Sequence, residues 1–182
     1  SFIVELMSTN GDSLLGPPFY KLKCSSSCFF SAYPANIDTI YRYINDIDKS
    51  LGPRALGPVS RLGIGSRMTT ASWPTLFSLL ERNTIPMNPI QNSLREVRLL
   101  GELEQGHPAE EINLHSFGSI HEGHTGSTFE GLWLYGVIEA LKHQLYTPYG
   151  ADADHIKVSN LTKSLDRGKE IIRAARYYTF YT

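Results

Sequence analysis

The chain has 182 residues, 41% of them apolar and 11% aromatic, which is enough for a domain with a core and too apolar for disorder. Its 17 basic and 18 acidic side chains leave a net charge of −1, so there is no electrostatic footprint for nucleic acid or a membrane surface, and the expected partner is a small molecule. No apolar run reaches the length of a membrane span and the start "SFIVELMSTNGD" lacks the parts of a secretory signal, which makes a cytoplasmic address the expectation.

In chain order, "SFIVEL" and "FYKLKC" read as strand-like pieces and "CFFSAY" as a buried strand. Cys24 and Cys28 in "CSSSC" are the only cysteines; no second pair completes a zinc pattern, and reduced thiols are expected. "ANIDTIYRYINDIDKS" spaces Ile37, Ile40, Tyr41, Ile44 and Ile47 as one helix, ended by the glycines and prolines of "LGPRALGP". "SRLGIGSR" then reads as a short strand and "TTASWPTLFSLLERN" as a helix from near Thr70. "TIPMNPIQ" reads as a strand and "SLREVRLLGELEQ" as a helix, and residues 105–126 as a polar loop. Ser127 and Glu130 have capping-box spacing and open the helix "TFEGLWLYGVIEALKH". "GADADHIKV" follows as a strand, "SNLTKSLDRGKEIIRAAR" as a helix and "YYTFYT" as a last strand.

Strand and helix alternate about four times, which favours a parallel sheet with helical crossovers. No GxGxxG or GxxxxGK[ST] follows a strand, which weakens nucleotide-binding versions of that plan. The expected class is α/β, a partial (β/α) TIM-type barrel. Eight strands normally need about 250 residues. The chain is therefore read as the N-terminal half to two-thirds of a barrel over 51–182, truncated at its C-terminus, behind a lead-in of strands and a first helix over 1–50.

Barrel chemistry sits at the C-terminal ends of strands. That rule selects Ser66, Arg67 and Thr69 in "GIGSRMTT", Gln91 and Asn92 in "NPIQNS", Asp152, Asp154 and His155 in "ADADH", and Thr182 at the end of "TFYT". Asp152 and Asp154 point to one side of a strand, and two like charges in one confined space need a cation, a proton or strong hydrogen bonds. Carboxylate and imidazole ligands suit zinc, manganese, iron or nickel. The other reading has the aspartates capping the next helix or paired with Arg61 or Arg67, and His155 packed in the core. "HEGH", His121 to His124, lacks the i, i+4 spacing of HExxH; His107, His115 and His143 read as surface or capping residues. Trp133 and Tyr135 read as core or sheet-facing.

The succession "SRLGIGSRMTTASWPTLFSLL", "NPIQNSLRE", "YGADADHIKV" and "YYTFYT", covering roughly 54–182, resembles the tagaturonate epimerase family of bacterial hexuronate catabolism. The resemblance implies a metal-dependent barrel isomerase that inverts a hydroxyl-bearing carbon of a keto-sugar acid by retro-aldol cleavage and re-addition. It implies catalytic roles for Asp152, Asp154 and His155, metal ligation by Asp154 and His155, a substrate cleft lined by Arg61 and Thr182, and a grip on the substrate carboxylate by Arg61 or Arg67; the strand-end rule adds Gln91 to the substrate-binding set. Part of the family's machinery lies in the second half of the barrel, so these residues alone are expected to be inactive. Ser60 departs from the acidic residue common before "RLG", and the loop over 105–126 is longer than the family's. "GPRALG" resembles a carbamoyltransferase motif over six residues, and its flanks do not continue the match. The alternative function is a non-catalytic sugar-acid-binding or regulatory module on a degenerate barrel.

Overall fold

The computed structural model describes residues 2–7, 13–63, 69–92, 111–114, 118–121, 129–153 and 179–180. The chain divides into two compact units, Ser1–Gly52 and Pro53–Thr182. The expected helices over 93–105 and 159–176 lie outside the described residues.

In the first unit, β1 (Phe2–Met7), β2 (Tyr20–Ser25) and β3 (Cys28–Pro34) form an antiparallel sheet in the order β1-β3-β2. Helix α1 (Ile37–Arg42) starts where the Asn36 carboxamide oxygen accepts the Thr39 N–H at 2.9 Å, satisfying one of the orphan donors of the first turn. The single helix expected over 35–50 is shorter than its periodicity suggests. After Arg42 the chain loosens into a π turn, Tyr43–Ile47, closed by the Asp48 N–H on the Tyr43 carbonyl at 2.9 Å. Asp48 is extended, and its carboxylate accepts the Ser50 N–H at 3.0 Å to start the 3₁₀ turn Lys49–Leu51. A short side chain that caps competes with one that propagates, and here capping wins.

In the second unit, β4 (Leu62–Gly63), β5 (Met87–Asn92), β8 (Tyr149–Ala153) and β9 (Thr179–Phe180) form a parallel sheet in the order β4-β5-β8-β9. Between β5 and β8 lies an antiparallel hairpin of β6 (Glu111–Leu114) and β7 (Gly118–His121), with Ile112 opposite Ile120. The polar loop expected over 105–126 therefore contains two strands, each too short to show a period of two. Helices α2 (Thr69–Asn83) and α3 (Phe129–Lys142) are the described crossovers. Helix α3 ends in a Schellman motif: Gln144 takes φ +47°, its N–H reaches the Leu141 carbonyl, and the Leu145 N–H reaches the Ala140 carbonyl. Leu145, just past that turn, is buried.

Both helices cover one face of the sheet. Phe77 of α2 meets the ring of Tyr149 edge-on, with centroids 5.6 Å apart, and the Trp73 indole N–H donates to the Pro89 carbonyl at 3.1 Å. On α3, Gly136 lies against Ile90, and a Cβ there would overlap Cγ1 and Cδ1 of Ile90. Met87 is in register with Tyr149 and Ile90 with Ala151, so these four side chains share the helix face. Phe77, Leu80, Leu132, Val137, Met87, Ile90 and Tyr149 are all buried, each apolar side chain contributing about 1.5–3 kcal/mol. Consecutive crossovers of one hand that step in one direction put their helices on the same face. A doubly wound sheet reverses its strand order and uses both faces. The described strands do not reverse.

Replacing Gly136 by alanine is expected to cost about 1–3 kcal/mol by overpacking, more than the roughly 1 kcal/mol that alanine returns in a helix interior. Combining it with Ile90→Ala should recover at least about 0.5 kcal/mol relative to the sum of the single changes. Urea unfolding of the four proteins reads this directly, and strict additivity would contradict the close approach of α3 to β5.

Burial pushes the Tyr149 phenol above its ordinary pKa, with the positive charge of Arg54 acting against the shift. The unfolded phenol ionises near pH ~10 while the folded one stays protonated, so above about pH 10 the unfolded state holds fewer protons and stability falls as pH rises, at about 1.4 kcal/mol per unit. In Tyr149→Phe this portion of the alkaline loss should vanish, as measured by urea midpoints between about pH 9 and 11. An unchanged slope would mean that Tyr149 ionises freely in the fold.

Candidate functional site

Strand β8 sorts its residues by parity. Tyr149 and Ala151 face the helices, so Gly150 and Asp152 face the other way. Asp152 is the fourth of five residues in β8, near the C-terminal end, and its side chain is 6% exposed. In the ladder it pairs with Gln91 of β5 on one side and Thr179 of β9 on the other. The sequence-based site is thus brought together at Asp152 and Gln91, and Thr179 joins them at a position not anticipated.

Gly150 lies one layer lower on the same face, about 6.6 Å back along the strand. A Cβ on Gly150 would overlap Oδ1 of Asn88, so the missing side chain is what admits the Asn88 carboxamide. Asn88 is 6% exposed, and its Oδ1 has no hydrogen-bond partner among the described residues. Sequence reasoning missed Asn88. Counting by twos from Ile90 would turn Asn88 toward the helices, but the register shifts between Met87 and Ile90, and this irregularity reverses the parity. The signal available was Pro89, which has no N–H to give a ladder and favours such an interruption.

Arg61 precedes β4, at the opposite end of the sheet from Asp152, and its Nη1 donates to the Gly57 carbonyl at 2.8 Å. Asp152 and Arg61 are therefore not brought together. The "GPRALG" segment runs beside the start of β8, where the Arg54 N–H donates to the Tyr149 carbonyl at 3.0 Å. Arg67, Asp154, His155, Thr182 and His124 lie outside the described residues. Trp133 is buried as expected, whereas Tyr135 is 57% exposed. His143, expected at the surface or as a cap, is partly exposed between Glu81 of α2 and Glu139 of α3, at 3.2 and 3.4 Å from opposite ring nitrogens. That arrangement links two helices and does not converge on one point.

The donors on the face turned away from the helices are oxygens: the Asp152 carboxylate and, below it, the Asn88 amide oxygen. Of the ions expected, hard oxygen donors match manganese best in kind. Among the described residues no group of three His, Cys, Asp or Glu converges as a metal cluster. None of their helices is long and apolar enough to cross a membrane. No family model, curated protein or solved structure matches the chain.

A buried carboxamide oxygen without a partner forfeits about 1–3 kcal/mol. Asn88→Leu, which keeps the branching and the number of heavy atoms, is therefore expected to leave stability unchanged or to raise it by up to about 2 kcal/mol. Denaturant unfolding checks this, and a loss beyond about 1 kcal/mol would show that the carboxamide is satisfied in the folded protein.

Proposed function

We propose that the sheet of the second unit is part of a (β/α) barrel and that the whole protein is a metal-dependent epimerase of a keto-sugar acid, interconverting tagaturonate and fructuronate or a close analogue. One observation carries the reading: a carboxylate is buried near the C-terminal end of a parallel strand, on the face turned away from the crossover helices. In a barrel that position opens onto the catalytic cleft. The singly wound strand order supports the same plan, as does the β4 edge, which has no further strand partner among the described residues and exposes Leu62, Leu79 and Ile85 beside it.

In this reading Asp152, Asp154 and His155 form the acid–base group, with Asp154 and His155 as the protein's metal ligands. A divalent ion held by Asp154 and His155 would supply positive charge to stabilise the enolate oxygen formed when the bond between the α carbon and the hydroxyl-bearing carbon is broken. Asp152 accepts the proton of the substrate hydroxyl as that bond cleaves, and returns it after the aldehyde has turned and been re-attacked. Gln91, next to Asp152 in the ladder, and Thr182 position the sugar hydroxyls. Arg67, which follows β4, is the arginine assigned to the substrate carboxylate; Arg61 sits at the other end of that strand.

Asp152→Asn in the whole protein is expected to lower kcat/KM for tagaturonate at least about 100-fold, the usual worth of a general acid–base group. Chelation should abolish turnover, and restoring the ion should recover it. Full activity in the variant would remove Asp152 from the mechanism. Tight, metal-independent binding of the sugar acid without turnover would replace the epimerase by a binding module.

A further inference from the structure

The hairpin of the first unit brings its two cysteines to one place. Strands β2 and β3 turn through Ser26 and Ser27, and Ser25 pairs with Cys28. One step further from the turn the regular ladder would pair Cys24 with Phe29, but Phe29 pairs with Lys23. Cys24 is thus the extra residue of a bulge, and Cys24 and Ser25 together oppose the single Cys28. Cys24 stands beside Ser25, the register partner of Cys28, and neighbouring strands about 4.7–4.9 Å apart are within the roughly 4.4–6.8 Å between Cα atoms that a disulfide spans. Both thiols are free; Cys24 is exposed and donates weakly to the Leu22 carbonyl, while Cys28 is half-buried. The ammonium groups of Lys21 and Lys23 lie 4.9 and 6.0 Å from the ring centre of Phe29, so the hairpin carries positive charge on the Phe29 face, the reverse of the one to which strand alternation turns Cys28.

We propose that Cys24 and Cys28 are a redox-active dithiol that exchanges with low-molecular-weight disulfides bearing carboxylates, of which glutathione disulfide is the probe. The exposed Cys24 thiolate attacks one sulfur of the probe, breaking its S–S bond and releasing one glutathione thiol. The Cys28 thiolate then attacks Cys24 Sγ of the mixed disulfide and expels the second glutathione. Two protein thiols are oxidised, one small disulfide is reduced to two thiols, and both protein protons leave on glutathione. The lysines draw the anionic reagent to the hairpin. A bridge closed across so few residues on an exposed edge is of the reducible, exchanging kind, not a permanent staple. This site is independent of the sugar-acid reading.

The test equilibrates the whole protein with glutathione disulfide and glutathione at graded ratios, quenches by alkylation and maps the hairpin peptide by mass. The expected product is a Cys24–Cys28 disulfide, about 2 Da lighter than the dithiol and closed to alkylation. Cys28→Ser should stop at a glutathione adduct on Cys24, and Cys24→Ser should react more slowly, because Cys28 is the less exposed thiol. The bulge predicts closure about tenfold more favourable in the folded protein than in urea, as an effect of local concentration. Adducts that accumulate on the wild type without ring closure, thiols that stay reduced across the series, or closure no better folded than unfolded would each overturn the assignment.

Discussion

Parity along β8 is the constraint on which the second unit depends. Tyr149 and Ala151 are committed to the helix side by the Phe77 ring and by register with Ile90, which Gly136 lets α3 approach. With those positions fixed, the alternation of a strand leaves Gly150 and Asp152 no choice of face. A shift of one residue would turn Asp152 to the helix face and Tyr149 away from its apolar partner Phe77. The aromatic and aliphatic contacts of the helix face are thus what hold a carboxylate out of water on the other side.

The same logic explains why a polar layer is tolerated beside the core. Asn88 is admitted because Gly150 has no side chain, and Asp152 sits next to Gln91 and Thr179 in a ladder whose backbone groups are already paired. Keeping a carboxamide and a carboxylate buried costs stability that apolar residues would not. Chains retain such costs mostly where the groups meet something else, and this links the packing to the proposed chemistry.

Much of this was legible in the sequence because it rests on local chemistry. The period of α2 and α3 and the small residues around Asp152 needed no tertiary information to be read. The misses have tertiary or short-range causes. Helix α1 stops early because Asp48 caps instead of propagating, a competition that periodicity does not register. The β6–β7 hairpin hides in a polar stretch because four-residue strands show too little alternation. Asn88 escaped because the irregularity in β5 puts Met87 and Ile90, three apart, on one face, which defeats counting by twos. Arg61 was chosen for its strand without knowing which end of it the residue occupies; it lies at the start, bonded to Gly57. The cysteines read as unremarkable thiols until the bulge in β2 set them opposite each other.

The central claim is that Asp152 of β8 turns away from the helices toward a space that takes a cation at the strands' C-terminal ends. Titrating the isotopically labelled protein with Mn²⁺ and following amide signal loss tests it most directly. The account predicts that the amides of Gln91, Asp152 and Thr179 disappear first, well before those of Asn83 and His143 at the ends of α2 and α3. Loss that begins at His143, Glu81 and Glu139, or spreads evenly over the chain, would contradict it.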